Sequence, residues 1–407
     1  MTCAPERRPA PWLFGITNLP YGVYNGFIGI AMPYLLRNAG LPVDRIADVS
    51  ALALAPAVWY FLWAPVVDVG LRRRTWLMLS SAMSAVCLWG ALQQPLPSRF
   101  AAFTALVVAG SVLSMLVSAS NGGLMAVAIP DHQRGRAGGW NQAGNVGGAA
   151  LGAGLTLWLA PHLSAAGLGN AVAMMIFLPS LTALALPEPR LERTSAKEHV
   201  AEMLRDLKVM FRSRTSLAGF AIFLCPMGAA AAANLFSGVA VDYHASEQTV
   251  VWINGFGGAL LTVAGTLAGG FLCDWIPRRL AYALAAILMG ICGGGMMLGP
   301  LTQPVFAAGV SLYLFTQGLV YAAYSALLLE LIGAGGRSAA TRYTLYNAAG
   351  NAPVAYMTWL DGQGYKGFGA RGLLGTDALS NVLSAAIFLF LIRGRLFGAR
   401  PQEAVTK

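Results

Sequence analysis

Charge is what this 407-residue chain has least of: Asp, Glu, Lys and Arg together make up 11% of it. A soluble domain carries roughly a quarter charged residues, so the ordinary means of covering a globular surface is missing. That excludes soluble enzymes, disordered chains and nucleic-acid binders. Cysteine is thin as well. Cys3, Cys87, Cys225, Cys273 and Cys292 include no close-spaced pair and sit mostly in apolar runs, which fits neither a disulfide framework nor a zinc site. They read as small apolar packing residues. No G-x-x-x-x-G-K or other nucleotide motif occurs, so neither a cofactor nor a metal is expected. His132, His162, His199 and His244 are scattered, with no nucleophile–base pairing, which argues against a membrane-embedded enzyme.

What is present is apolar length. Hydrophobic residues form 57% of the chain, and a bilayer-spanning helix needs about 20 of them in a row. Apolar segments lie near 12–35, 46–67, 75–93, 100–128, 138–160 and 166–186, and after a polar gap near 216–238, 248–273, 280–298, 304–331, 342–360 and 376–393. Arg7 and Arg8 precede the first segment, which contains Pro20 and Pro33 and no small-residue cleavage site, so it is expected to stay as a span. The expectation is an all-α membrane protein with 12 transmembrane helices in two six-helix pseudo-symmetric bundles, 1–186 and 216–407, joined by a cytoplasmic amphipathic linker helix, 187–215. In the linker, Ser195 and Glu198 have capping-box spacing. Val200, Met203, Leu204, Leu207, Met210 and Phe211 share one helical face, suited to lying on the inner membrane surface.

The charges orient this map. With the N-terminus inside, 22 of the 27 Lys and Arg fall in the cytoplasm; Arg37, Arg45, Arg99, Lys366 and Arg371 fall outside, as the positive-inside rule asks. The net charge of +10 thus reflects loop arginines rather than a nucleic-acid partner. The reading is a multi-pass protein of the cytoplasmic (inner) membrane with both termini cytoplasmic, the lipid bilayer as its partner, and a monomeric state.

Shifting the chain by 206 residues aligns its halves. Asp68, Arg72 and Arg73 fall on Asp274, Arg278 and Arg279; Arg136 falls on Arg342; Asn141, Ala143, Gly144 and Asn145 fall on Asn347, Ala349, Gly350 and Asn351. The chain is a parallel duplication. The repeated D-x-x-x-R-R resembles the signature of the major facilitator superfamily, with Gly270 ahead of Asp274 and Ala64 in the first copy. Within it, Tyr60-Phe61-Leu62-Trp63-Ala64-Pro65-Val66-Val67-Asp68 resembles the F-L-W-A-P-L-x-D stretch of AmpG-type muropeptide permeases and acetyl-CoA transporters, with Ala326-Leu327-Leu328 a looser likeness. That branch tends to carry acidic residues in its fourth helix, where this chain reads Ser118-Ala119-Ser120-Asn121-Gly122-Gly123.

The resemblance implies a permease working by alternating access on a medium-sized organic solute such as a muropeptide, siderophore or acyl-type metabolite. A drug or metabolite exporter of the same superfamily is the alternative, and a non-transporting membrane sensor the remote one. It also implies that Asp68 meets span 11 and Asp274 meets span 5 as a gating latch. A carboxylate there would face a helix N-terminus and pair with the arginine four residues on. Asn141/Asn145 and Asn347/Asn351 each share a helix face; interhelical glue beside the latch is the favoured role, substrate binding the other. Gly144, Gly148 and Gly152 on span 5, with Gly265 and Gly269 on span 8, are read as a close-packing and sliding seam.

The resemblance places the substrate cavity among spans 1, 4, 7 and 10. The candidates are Asn18, Tyr21, Tyr24 and Asn25; Ser118 and Asn121, with Ser114; Asn234; and Tyr313, Gln317, Tyr321 and Tyr324. No Lys, Arg, Asp or Glu is expected near the middle of any span; Asp48, Asp242, Glu247 and Glu330 read as terminal. Protons coupled through such edge groups and uncoupled facilitation both remain open, and amides, hydroxyls and tyrosines suit a neutral or amphiphilic solute.

Overall fold

The structure is a computed structural model that describes residues 9–188, 196–254, 256–333 and 338–396. Every regular element among them is helical. Span 1 runs Leu13–Gly26, passes a π-helical turn at Phe27–Ala31 and continues as Met32–Asn38. Span 2 comprises Val43–Leu54 and Pro56–Trp59, then two 3-10 turns, Tyr60–Leu62 and Ala64–Asp68. Spans 3 to 6 are Arg73–Leu92, Phe100–Ala128, Arg134–Leu159 and Ala165–Ser180. After the linker helix Ala196–Arg212, span 7 begins as Arg214–Leu224 and resumes as Ala231–Asn234 and Phe236–Val239. Span 8 is Glu247–Asn254 with Phe256–Trp275, span 9 Arg278–Leu298 and span 10 Gln303–Ile332. Spans 11 and 12 form one run, Ala339–Leu396, divided at Phe368 and Gly369, where φ of +63° at Gly369 turns the chain back.

Three expectations need correction. Span 7 is not continuous, because Pro226 has no N–H to give and Gly228 and Ala230 take left-handed φ of +76° and +54°. The stretch around Pro65 winds as 3-10 rather than α-helix. Residues 361–375, taken as a loop, are almost entirely helical; their glycines and charges dilute hydropathy without stopping helix formation. Eight helical runs among the described residues are long and apolar enough to cross a membrane. Spans 1, 5 and 7 are not among them, being bent, polar and broken in turn.

Ala196–Arg212 is helical, and Phe211 stacks on Phe220 of span 7 at 5.5 Å. Met210 is buried and Leu204 and Phe211 are exposed. The Ser195–Glu198 capping pair and the side chains of Val200 and Met203 lie outside the described residues.

Close backbone packing follows the small residues, but not in the expected seam. Gly144, Gly148 and Gly152 press span 5 onto span 1; a Cβ at Gly148 would lie 2.8 Å from the Leu19 carbonyl oxygen. Gly265 and Gly269 press span 8 onto span 10, with a Cβ at Gly269 2.9 Å from Leu319 Cα. Contact between the halves falls instead to Gly135, Gly139 and Gly270. A Cβ at Gly139 would lie 2.5 Å from the Thr266 carbonyl oxygen, and one at Gly135 2.8 Å from Cys273 Cβ. On the other side Gly123 would meet Ala340 Cβ of span 11 at 2.8 Å. All of these contacts lie at the arginine-rich end. Farther along span 5 the nearest atom to a Cβ at Gly147 is 3.8 Å away, on Val263, and Gly154 faces open space. The halves therefore meet at one end and diverge at the other.

Cys273, 3% exposed beside this seam, reports on its integrity. In a chain whose only cysteine is Cys273, Gly139→Val should wedge spans 5 and 8 apart at an overpacking cost of about 1–3 kcal/mol. Maleimide labelling of Cys273 should then rise about tenfold; an unchanged rate would show that the seam yields without opening.

Candidate substrate cavity and the contact between the halves

Asp68 ends span 2, and its side chain is fully buried at the N-terminus of span 11, where the first backbone amides have no intrahelical acceptor. The N–H groups of Ala340 and Thr341 donate to its two oxygens at 3.2 and 2.8 Å, and Thr341 Oγ1 donates at 2.8 Å. Asp274, which the 206-residue shift pairs with Asp68, accepts from the Gly135 N–H of span 5 at 2.9 Å. Gly135 and Thr341 are themselves related by that shift, so the two cross-contacts are copies of one device. The helix neighbours are those the resemblance implied; the arginine partners are not. Asp68 pairs with Arg73 at 2.8 Å rather than with Arg72. Asp274 pairs across the interface with Arg136 at 2.6 Å, while Arg278 and Arg279 turn to Glu330 at 3.5 and 3.3 Å. Sequence reasoning passed over Arg134. Its guanidinium caps the end of span 10 by donating to the Leu329 and Gly333 carbonyls at 3.1 and 2.7 Å. Glu188 was also missed; it caps span 3 by accepting from the Arg73 and Arg74 N–H groups.

Inward from this contact lies a cavity of about 160 Å³ between the halves. Of the candidates read from the sequence, Asn18, Tyr21, Ser118, Tyr321 and Tyr324 line it. Asn141, Asn145, Asn347 and Asn351 line it too, while Asn141 and Asn347 also bond to neighbouring helices. Each amide row faces inward because its own half presents that face to the other. Gln142, Tyr282 and Tyr343 complete the polar wall, and the broken part of span 7 adds Cys225, Met227 and Gly228. A signal for Tyr343 was present in the row Tyr343, Asn347, Asn351, which keeps one helix face.

Behind the wall runs a hydrogen-bonded net. Asn121, fully buried, donates to Asn141 Oδ1 at 2.8 Å and to the Phe14 carbonyl at 3.1 Å, and accepts from Thr17 at 2.6 Å. Asn18 donates to the Asn141 carbonyl at 2.9 Å, leaving its own Oδ1 without a protein partner. Asn347 donates to Tyr60 Oη at 2.7 Å across the two halves. Gln317 sits one step back, donating to Tyr321 Oη at 2.9 Å.

Besides Asn121 and Gln317, four expected cavity residues lie outside the lining. Tyr24 is buried against span 4, donating to the Val107 carbonyl at 2.6 Å. Asn25 is hydrogen-bonded to Tyr21 but does not reach the cavity. Asn234 donates to Thr358 at 3.1 Å on the exposed side. Tyr313 donates to Asp377 Oδ2 at 2.9 Å. That last contact also corrects the expectation of spans free of interior charge: Asp361 and Asp377, inside spans 11 and 12, are both fully buried.

Two pseudo-symmetric halves joined by crossed carboxylates over an uncharged pocket set the terms for comparison. Residues 14–358 match the Major Facilitator Superfamily. The chain belongs to that superfamily. Among superfamily structures, the human organic anion transporter MFSD10 (TETRAN) superposes with a TM-score of 0.71 at 18% identity, covering 95% of this chain and 100% of that one. The E. coli fucose:proton symporter FucP gives 0.67 at 14% identity, covering 93% and 97%. Both likenesses support the twelve-helix, two-bundle fold. Among curated sequences, the anhydromuropeptide permease of Escherichia coli (strain K12) is 27% identical over 307 residues, which is 72% of this chain but 61% of the permease. This chain is thus a multi-pass membrane protein of a transporter superfamily, in keeping with a transporter rather than an enzyme.

Breaking one crossed carboxylate tests the contact without touching the cavity. Asp68→Asn keeps the shape but removes the charge paired with buried Arg73, a loss of about 3–5 kcal/mol for a buried pair. Labelling of a lone Cys273, which lies in the other copy of the device, should rise at least tenfold (about 1.4 kcal/mol) with membrane abundance unchanged. Equal loss of protein would mark Asp68 as a folding residue only.

Proposed function

We propose that the chain is a permease that moves a medium-sized organic solute rich in hydroxyl and amide groups across the cytoplasmic membrane, with anhydromuropeptides as the favoured class. Residues 1–186 and 216–407 act as two rocking units about the cavity, joined by 187–215, with both chain ends on the inner side. Asp68 and Asp274, with Arg73 and Arg136, act as the latch of the arginine-rich end.

The observation that carries this reading is the lining. Five asparagines, one glutamine and five tyrosines face the cavity, with no charged side chain among the lining residues. Carboxamides both donate and accept, matching the alternating donors and acceptors of sugar hydroxyls and N-acetyl groups. Tyrosine rings offer apolar faces to sugar rings and acyl methyls while keeping a polar tip. Asn18 Oδ1, without a partner, is an acceptor ready for a ligand donor. The identity with the anhydromuropeptide permease supports the same class. Ligand sites usually enclose about 300–1,000 Å³, so the present cavity must widen to admit such a solute, and the divergence of the halves away from Asp68 supplies the direction.

Proteoliposomes offered radiolabelled N-acetylglucosaminyl-anhydro-N-acetylmuramic acid, with and without its stem peptide, test the reading. Saturable uptake is expected. Asn145→Ala or Tyr321→Phe should each raise KM about fivefold, the equivalent of one hydrogen bond of ~1 kcal/mol. Asn234→Ala, outside the cavity, should change nothing. No uptake of either compound, with another organic solute transported, would replace the substrate class; no transport of any solute would favour a sensor.

A further inference from the structure

The two interior acids lie apart from the cavity lining and from the crossed carboxylates. Asp361 belongs to the far part of span 11 and Asp377 to the early part of span 12, and both are 0% exposed. Asp377 Oδ2 accepts from Tyr313 Oη of span 10 at 2.9 Å, and the backbone N–H of Ala232, in the broken part of span 7, is a further donor toward this carboxyl. Asp377 Oδ1 and both oxygens of Asp361 have no hydrogen-bond partner. Three of four carboxylate oxygens are therefore enclosed and unmatched.

Each element around the pair offers the same answer about compensating charge. The charge of Asp377 reaches Asp361. Span 10 contributes Tyr313, which feels both acids, with Tyr321 beyond it. Span 9 contributes Gly293, whose Cβ position lies 3.8 Å from Asp377 Oδ2, and span 7 contributes Ala232. Among the described residues no Lys, Arg or His forms an ion pair with either acid. Two ionised carboxylates enclosed together in a low-dielectric interior repel each other and lose their hydration with nothing to offset either cost. One bound proton removes the repulsion and turns one unmatched oxygen into a donor. A metal ion fits less well, because the groups turned toward Asp377 are donors, whereas a hard cation needs a shell of acceptor oxygens.

We propose that Asp361 and Asp377 form a proton-binding site of the C-terminal bundle, and that its occupancy sets the position of the broken segment of span 7. The second part rests on the transporter reading; the first does not. The mechanical link is short. Asn381, one turn beyond Asp377, donates to the Asp377 carbonyl at 2.9 Å and accepts the Gly228 N–H at 2.8 Å. Gly228 and Met227 wall the cavity, and Tyr282 of span 9 holds the Met227 carbonyl at 2.6 Å. The broken segment is thus fastened at Gly228 to the turn that carries Asp377, and its Ala232 N–H faces the acid itself. Release of the proton to water raises the pair from one negative charge to two, strengthening the pull of these amides on the segment. Binding of a proton relaxes it. The cavity wall and the acid pair move as one unit.

Infrared difference spectra of the full-length protein in lipid nanodiscs, stepped between about pH 5 and pH 9, test the site. Wild type should show a protonated-carboxyl C=O band that is sensitive to D2O. The band should be lost in Asp361→Asn/Asp377→Asn. Tyr313→Phe, which keeps both acids, should retain the band at a shifted frequency. Identical spectra for wild type and the double variant would overturn the proposal, as would a band that responds to Na⁺ at constant pH. For the link, Cys225 lines the cavity and is exposed. In chains whose only cysteine is Cys225, the ratio of maleimide labelling rates between wild type and the double variant should change severalfold with pH; a constant ratio would sever the site from span 7. The band present without muropeptide uptake would overturn the proposed substrate and leave this site standing. Uptake with no band would do the reverse.

Discussion

Two carboxylates from one repeat position are satisfied by backbone amides of the opposite half, and most of the structure is arranged around that exchange. A helix N-terminus inside a membrane protein has donors with nowhere to go. Span 11 sends its amides to Asp68 and span 5 sends one to Asp274. Neither half completes its own helix ends at this position. Close approach is needed for the bonds to form, and the glycines at 135, 139 and 270 make it possible by leaving no side chain in the gap. Remove the exchange and the glycine seam loses its carboxylate contacts, keeping cross-contacts such as those of Arg134 on span 10. Widen the seam and the amides lose their acceptors.

The partners of the two acids show how a duplication departs from symmetry. Asp68 keeps its arginine within its own half, on Arg73, and Asp274 takes Arg136 from across the interface. Parting the halves would therefore leave Asp68 with a counter-charge and strip Asp274 of one. The side of Asp274 bears the larger electrostatic penalty on opening, and Arg278 and Arg279, occupied by Glu330 in this arrangement, are the nearest replacements for it.

Span number, duplication and the helix met by each Asp were legible because they rest on properties a linear chain carries openly: apolar length, periodic identity and the places where charges stop. The site was legible only in part. Spacing tells which residues share a face, not what that face meets. Asn141 and Asn145 were correctly read as one face, yet whether it met the latch or the cavity depended on how deep the halves stay in contact. Tyr313 shares the face of Gln317, Tyr321 and Tyr324, but that face leaves the cavity before reaching it and meets span 12 instead. Asp361 and Asp377 were hidden for a different reason. The glycines and charges between them look like a loop to any measure of hydropathy, although only Phe368 and Gly369 leave helical geometry.

Polar groups are sorted by cost along the molecule. Apart from the Asp361 and Asp377 pair, full charges sit where two halves must bind firmly and where water is near at the helix ends. Neutral amides and phenols line the cavity, where the walls must exchange partners with a passing solute. An amide that loses one hydrogen bond to a departing ligand can take up water at a cost of about a kcal/mol or so, whereas a buried charge losing its partner would cost several times that. A neutral lining keeps the cavity similar in energy whether filled, empty or wet. Spans 1, 5 and 7, the ones that fall short of plain membrane helices, supply much of that lining. Irregular and polar backbone is tolerated at depth only where it faces protein or a water-filled space, so the weakness of these spans as hydrophobic signals has the same origin as their place at the site.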